Sequence, residues 1–210
     1  MLIAGRQSFN RKDDNQLPST YVDTNGCHVN LNYHPTKDTS LEFEAKYVSA
    51  TGGAHIGFTA DSGGPGATDS NDYRFFWYQR STLILFDIGT NRLSTEVSYE
   101  HPNSFTHICC GRNGLTVDGV DFTTEYWKSQ STQSQIDNFT AASSGTIYII
   151  SPDTESSIHL RYLKIYERDE LTMFVYGLKD SNGQVCFFDT LSKNRFYPDS
   201  GNMVLNKYAL

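Results

Sequence analysis

The sequence lacks the patterns that mark an export signal, a membrane span or a nucleic-acid-binding surface. Its opening, MLIAGRQSFNRKDD, has only a short apolar start before Arg6, whereas a secretory signal needs a longer apolar stretch after a basic one. No segment approaches the ~18 apolar residues of a membrane span. No basic run is longer than Arg11-Lys12 and the formal net charge is −7, which disfavours attraction to nucleic acid. We therefore expect neither membrane nor nucleic acid as a partner.

Cysteine is scarce, and its spacing suggests neither a disulfide framework nor a zinc site. Cys27, Cys109, Cys110 and Cys186 form no CxxC pair and have no histidine at zinc spacing. Cys109 and Cys110 are adjacent in a strand-like run, so their side chains should point to opposite faces. All four are predicted to be small buried thiols in a reducing cytoplasm.

Motifs for catalysis are also missing. The six histidines show no HxH or HExxH pattern, and no nucleophile elbow of the GxSxG kind occurs. Glycoside hydrolysis needs a proton donor and a second carboxylate placed across the sugar. The one candidate pair is Glu42 and Glu44, and Lys46 continues the same face in place of a further acid. That pattern is typical of a solvated strand face, so the sequence predicts a protein that is not an enzyme and has no cofactor.

What the sequence has in abundance is aromatic residues arranged in short alternating runs. Aromatics make up 13% of the chain, and they suit the pleated, half-buried surface of a sheet. LEFEAKYV places Leu41, Phe43 and Ala45 on one face and acidic and basic residues on the other. Similar runs follow to the end of the chain, separated by turn residues, and Asn182-Gly183 is a strong hairpin signal. The sequence predicts an all-β protein made of two antiparallel sheets packed as a sandwich.

The predicted organisation is an arm followed by one domain. Residues 1–19 lack periodicity and contain the polar cluster RKDDNQ, so they are read as an extended arm or a weak first strand. Residues 20–210 are predicted to form a single β-sandwich domain. Its length is sufficient for a hydrophobic core without disulfides or metals.

Two surfaces are candidate binding sites. In DYRFFWYQ, Arg74 and Tyr78 share one face of a strand, which is either a saccharide or protein contact or one side of a buried central strand. Tyr126 and Trp127 begin a polar segment that extends to residue 144, and a loop of this kind suits recognition.

A third candidate site is the loop of residues 61–72, which is rich in glycine and acids. Asp61, Asp69 and Asp72 are the tentative ligands of a Ca²⁺ ion there. The acids follow no EF-hand spacing, and an ordinary acidic surface loop is the alternative.

Three stretches together resemble laminin-G-like, concanavalin-like modules. The first is YVDTNGCHVNLNYHPTKDTSLEFEAKY, the second GLTVDGVDF, and the third YLKIYERDELTMFVYGLKDSNGQVCFFDTLSKNRFYPDSGN. They correspond to the family's opening strands, to its short V-D-G hairpin, and to its closing unit with an N-G turn, a strand ending in Asp and an F-Y pair. The resemblance covers Tyr21 to Asn202 and implies a two-sheet jelly-roll sandwich.

The resemblance also implies a role, because modules of this subtype occur in tailed-phage virion proteins and in gut bacterial surface proteins. It implies a non-enzymatic structural or accessory protein of the virion, on the capsid, tail or fibre, made in the host cytoplasm. Such a protein would dock onto other virion proteins through its N-terminal arm, as a homo-oligomer or within a large assembly. The alternative function is a carbohydrate-binding, lectin-like module for host or environmental glycans.

Overall fold

The regular structure of the described chain consists of β-strands. The computed structural model describes residues 17–49, 54–59, 74–80, 83–89, 104–111, 114–121, 146–150 and 156–208. The strands are β1 (Thr20–Asp23), β2 (Val29–Asn30), β3 (Thr39–Ser49), β4 (Ala54–Thr59), β5 (Arg74–Arg80), β6 (Leu83–Gly89), β7 (Thr106–Gly111), β8 (Gly114–Val117), β9 (Val120–Asp121), β10 (Tyr148–Ile149), β11 (Ser157–Glu167), β12 (Glu170–Lys179), β13 (Val185–Asp189), β14 (Arg195–Phe196) and β15 (Val204–Lys207). No helix long and apolar enough to cross a membrane lies in these ranges.

The described strands form two sheets in which neighbouring strands are antiparallel. The larger sheet has ten strands in the described chain, in the order β14-β13-β12-β11-β3-β7-β8-β9, with β1 joined to β11 and to β15. The smaller sheet has five, in the order β2-β10-β4-β5-β6. The prediction of an all-β protein with antiparallel sheets is confirmed.

One hydrophobic core contains residues of both sheets, because alternate residues of each strand face it. In β3, Leu41, Phe43 and Ala45 are buried as the alternation predicts. In β5, Phe75 and Trp77 are fully buried, which confirms that this strand has a buried face. The rings of Phe43 and Trp77 meet edge to face with centroids 4.9 Å apart and join the two sheets.

The four cysteines behave as the sequence predicts. All are buried free thiols. Cys110 belongs to the core, and the adjacent Cys109 lies on the opposite side of β7, because it pairs with Glu42 whereas Cys110 pairs with Leu41.

An irregularity in β11 determines which residues stand on the outside of the larger sheet. The pairing with β3 shifts between Leu160, which is opposite Ala45, and Tyr162, which is opposite Glu44. Arg161 is the extra residue, and such a bulge bends a strand and re-aims its side chains. Tyr162 is therefore turned away from the core, while the next residue, Leu163, resumes the buried face.

The predicted Asn-Gly hairpin is present between β12 and β13. Gly183 has a φ of +80°, a conformation that favours glycine, and its N–H donates to the carbonyl of Asp180 at 3.0 Å. The Asp180 carboxylate accepts from the backbone N–H groups of Asn182 and Gln184, both at 2.9 Å. Asp180 thus accepts hydrogen bonds from the backbone N–H groups of the three residues that follow Ser181 in the turn.

Asp189, at the end of β13, holds the following turn. Its buried carboxylate accepts from the N–H groups of Phe174 at 2.9 Å and of Leu191 and Ser192, both at 3.1 Å. Burial raises the pKa of this carboxyl, but the donors, led by Ser192, outweigh burial and lower it.

We expect Asp189→Ala to lower the free energy of unfolding by about 2 kcal/mol, because three partly buried N–H donors lose their common acceptor. Since the folded-state pKa is lowered, this contribution should be present above about pH 4 and be lost as the pH falls further. Urea unfolding at two pH values measures both effects. The exposed Asp199 provides the control, and equal losses for Asp189→Ala and Asp199→Ala would contradict the role of the Asp189 carboxylate.

Candidate functional site

The side of the larger sheet that faces away from the core, here called the outer face, carries a dense group of polar and aromatic side chains. Strand register creates the group. Glu42 of β3 lies between Lys164 of β11 and Cys109 of β7, and Glu44 lies between Tyr162 and His107. Residues directly opposite one another on adjacent strands are close enough for their side chains to interact.

Glu42 is the centre of this group. Its Oε2 accepts from the hydroxyl of Tyr166 at 2.8 Å, and its Oε1 accepts from Nζ of Lys164 at 3.1 Å. The hydroxyl of Tyr162, at 3.3 Å, and Nε2 of His107, at 3.5 Å, also meet Oε1. The Glu42 side chain is only 13% exposed. The expectation that this strand face is solvated is therefore wrong, because β7 and β11 enclose it on both sides.

Glu44 is held in a similar way. Its Oε2 accepts from Nη1 of Arg161 at 2.8 Å, and its Oε1 accepts from the hydroxyl of Tyr208 at 2.6 Å. Nε of Arg161 donates to the carbonyl of Pro18 at 2.8 Å, and its guanidinium lies 4.0 Å from the ring centroid of Tyr208. Arg161 thus connects the segment that precedes β1, the centre of β3 and the residue that follows β15.

The protonation states of the central groups follow from these contacts. Burial raises the pKa of the Glu42 carboxyl, but the surrounding donors outweigh burial and hold that pKa at about 2. The strongest of them are His107 and Lys164, followed by the hydroxyl of Tyr166. Burial lowers the pKa of His107, but its contacts with Cys109 and Glu42 outweigh burial and raise that pKa to about 10. Near neutral pH, Glu42 is therefore a carboxylate and His107 is an imidazolium.

This arrangement suits binding better than proton transfer. A carboxyl group with a pKa of about 2 is a weak base and carries no proton to donate near neutral pH. His107 contacts both Glu42, at 3.5 Å, and the Sγ atom of Cys109, at 3.9 Å, through the same Nε2 atom. In a nucleophile–histidine–acid relay, by contrast, one ring nitrogen of the histidine contacts the nucleophile and the other contacts the acid.

Aromatic rings extend the outer face on one side of the network. We call this set, Tyr162, Phe174, Tyr176 and Phe188, the first aromatic cluster. Successive rings meet edge to face, with centroid separations of 6.1, 6.0 and 6.3 Å along the set. Nζ of Lys164 lies 5.4 Å from the ring centroid of Tyr162 and 5.5 Å from that of Phe174. The cluster therefore adjoins the charged network directly.

A second set of rings lies on the other side of the network. We call this set, Tyr21, Phe105, His159 and Tyr208, the second aromatic cluster. Tyr21 stacks on His159 with centroids 4.7 Å apart, and Phe105 meets Tyr21 at 5.2 Å and Tyr208 at 4.9 Å. All four are half-buried, so each ring is held by neighbours and still reaches solvent.

The binding residues predicted from the sequence are placed elsewhere or lie outside the described residues. Arg74 and Tyr78 belong to β5, a strand of the smaller sheet. The structure therefore does not bring them together with the outer face of the larger sheet.

The remaining predicted positions lie outside the described residues. They are Tyr126 and Trp127, the tentative Ca²⁺ ligands Asp61, Asp69 and Asp72, and residues 1–16 of the arm. Within the described residues, no group of three or more His, Cys, Asp or Glu side chains is placed to hold a metal ion.

Sequence reasoning did not identify the outer-face network. One signal was present in the sequence, because R-Y-L-K-I-Y at positions 161–166 places basic and aromatic residues in a strand that could complement E-F-E at positions 42–44. Complementary patterns of this kind favour pairing of two strands.

Comparisons of the chain with protein-family models, with curated proteins and with solved structures return no match.

Proposed function

We propose that this chain is a non-enzymatic carbohydrate-binding module of the jelly-roll, laminin-G-like type, and that it binds glycans on the outer face of its larger sheet. The observation that carries the proposal is the combination on one face of aromatic clusters with a hydrogen-bonded charged network. Sugars require such a mixture, since their hydroxyls need polar partners while their apolar faces stack on rings.

The network also provides donors for a ligand. Lys164 uses one of its three N–H donors within the described structure, the bond to Glu42. Arg161 uses two of its N–H groups there, for Pro18 and Glu44. These side chains are already fixed, because Lys164 and Arg161 are 13% and 12% exposed. A ligand that binds to fixed groups avoids much of the entropy cost of ordering them.

The absence of catalysis is part of the proposal. Its support is the charge state of Glu42, which the surrounding donors hold as a carboxylate. A glycosidase instead requires one carboxyl group with a raised pKa as the proton donor.

The biological setting that we propose is the tailed-phage virion, where the module would act as a structural or accessory protein and attach to the host surface. The support for this setting is the resemblance of residues 21–202 to modules of virion proteins. In this setting the partners are a host glycan and other virion proteins, which the N-terminal arm would contact. Mass spectrometry of a purified particle would locate the chain in it.

A pair of tyrosine variants tests where the glycan binds. Tyr176 lies in the first aromatic cluster, and Tyr148 lies on the smaller sheet, where its hydroxyl accepts from Nδ2 of Asn30 at 3.1 Å. On a glycan array, Tyr176→Ala should weaken binding about tenfold, because one stacking ring is lost. Tyr148→Ala should bind as the wild type does.

Each other outcome has a definite meaning, provided that melting curves show both variants to be folded. Loss of binding only in Tyr148→Ala would move the ligand to the smaller sheet, where Arg74 and Tyr78 lie. A wild-type protein that binds no glycan on the array would refute the carbohydrate-binding function and leave virion assembly as the role.

A further inference from the structure

We infer that the open edge of β15, the one that faces away from β1, is a docking site for another protein, and that its occupant is an extended acidic peptide segment that adds to the sheet as a further strand. This inference goes beyond the proposed function, because it concerns a protein partner and not a glycan. It rests on the hydrogen-bonding pattern of β15, on the cavity beside that strand and on the charges around the cavity.

Hydrogen bonds with β1 use only half of the backbone groups of β15. The N–H of Tyr208, just after the strand, donates to the carbonyl of Ser19 at 2.8 Å. Hydrogen-bonded and non-bonded pairs alternate along an antiparallel ladder. Val204 and Asn206, which lie two and four residues before Tyr208, therefore also direct their N–H and carbonyl groups to β1.

The residues between them, Leu205 and Lys207, direct their N–H and carbonyl groups to the open edge. Within the described residues, β15 pairs with β1 alone, so no strand there satisfies these groups. A row of unpaired backbone groups on an edge strand is a template for pairing with another chain. The chemistry of the edge thus selects an extended backbone as the partner, as in recognition by strand addition.

A cavity of about 250 Å³ adjoins this edge. Val204 and Leu205 both line it, although successive residues of a strand point to opposite faces, so the cavity lies beside β15 and not over one of its faces. The ends of β12 and β13, at Lys179 and Val185, also line it. The buried side chains of Val185 and Met203 give it an apolar floor. An apolar side chain of an added strand would enter here.

The course of β12 limits the occupant to a single strand. A Cβ atom built on Gly177 of β12 would be 2.0 Å from Cγ2 of Val22 in β1 and 3.1 Å from Cδ1 of Leu205 in β15. β12 therefore passes beneath both strands, and its end at Lys179 lies beside the cavity. An added strand would have β15 on one side and the β12–β13 hairpin on the other. This leaves no place for β15 of a second copy, which brings its own neighbouring strand with it.

The charges around the cavity favour an acidic segment. Lys179 lines the cavity and Lys207 ends β15, and both are exposed. Among the described residues, neither lysine makes an ion pair. The carboxylate of the adjacent Asp180 is already bonded to its own turn and to the hydroxyl of Tyr197. The matching partner therefore alternates apolar residues with Glu or Asp, and a second copy, with a net charge of −7, is a poorer match.

Labelled octapeptides test this site directly. One set alternates Glu with Val, Leu or Phe, and a matched set carries Lys in place of Glu. By fluorescence polarisation, the acidic set should bind about fivefold more tightly, because each of two exposed lysines contributes about 0.5 kcal/mol. Hydrogen exchange followed by NMR should show new protection of the Leu205 and Lys207 amides, whereas the Asn206 amide, which is bonded to β1, should not change. Equal affinity for the two sets would refute the acidic class of partner.

Variants separate the backbone contact from the charge contact. Leu205→Pro removes an N–H at the open edge and no bond to β1, so it should abolish peptide binding. Lys207→Pro provides a second variant of the same kind should melting curves show Leu205→Pro to be unfolded. Lys179→Glu should weaken binding of the acidic peptides about fivefold or more. Lys193→Glu, at an exposed position that does not line the cavity, should bind as the wild type does.

Three further results would overturn the inference. One is that no peptide of either set binds at about 1 mM, the weak limit of specific recognition. Another is binding that protects other amides and leaves those of Leu205 and Lys207 unchanged. The third is protection of these two amides in the protein alone, increasing with its concentration, which would identify a second copy as the occupant.

Discussion

Replacing Gly177 by alanine is expected to lower the free energy of unfolding by about 3 kcal/mol, the upper end of the cost of overpacking a core. Gly177 lies in β12, and a Cβ atom built there would be 2.0 Å from Cγ2 of Val22 and 3.1 Å from Cδ1 of Leu205. Val22 is fully buried between β11 and β15 and has no room to withdraw. For a chain of this length, the melting temperature should fall by about 10 °C.

The double variant Val22→Ala/Gly177→Ala is the control for this prediction. Val22→Ala alone should cost about 2 kcal/mol through the cavity that it leaves. In the double variant the new methyl group at position 177 occupies part of that cavity, so the two losses should be less than additive. If Gly177→Ala melts as the wild type does, or if the losses simply add, Val22 does not pack on Gly177.

The strands themselves were predictable, because alternation is a local property of the sequence. LEFEAKYV, with its buried Leu41, Phe43 and Ala45, and the hairpin at Asn182-Gly183 needed no information from other parts of the chain. The order of the strands was not predictable in the same way. Thr24 bonds Ile158 across 134 positions of sequence, and no local pattern specifies which distant strand is the neighbour. The crossing of Val22 over Gly177 depends on that order.

The same limit explains why the polar network was missed. Period-two alternation shows that Glu42 is turned away from the core, but not what the adjacent strands place beside it. The partner Lys164 is 122 positions away, and the bulge that turns Tyr162 outward has no marker residue such as glycine at Arg161. The Glu42 carboxylate was therefore expected to be solvated, whereas two neighbouring strands enclose it.

Glu42→Gln is expected to lower the free energy of unfolding by about 3 kcal/mol near pH 5.5, because Lys164 and the protonated His107 lose their common carboxylate in a largely buried place. The change keeps the size of the side chain, so packing is not the cause. The exposed Glu170, at the start of β12, provides a matched control. Glu170→Gln should change stability by less than about 0.5 kcal/mol. Equal effects of the two variants would show that the Glu42 carboxylate is not the centre of a network.

The pH dependence of this loss tests the ionic origin. The pKa of Glu42 falls from 4.5 to about 2 in the folded protein, so its contribution is present above pH 4.5 and is lost as the pH falls towards 2. The pKa of His107 rises from 6.5 to about 10 on folding, so its contribution is present below pH 6.5 and is lost as the pH rises towards 10. The difference between wild type and Glu42→Gln should therefore be largest between these limits and smaller at about pH 3 and about pH 9.5, as measured by urea unfolding. A difference that stays constant across this range would mean that hydrogen-bond geometry alone, and not charge, holds the outer face together.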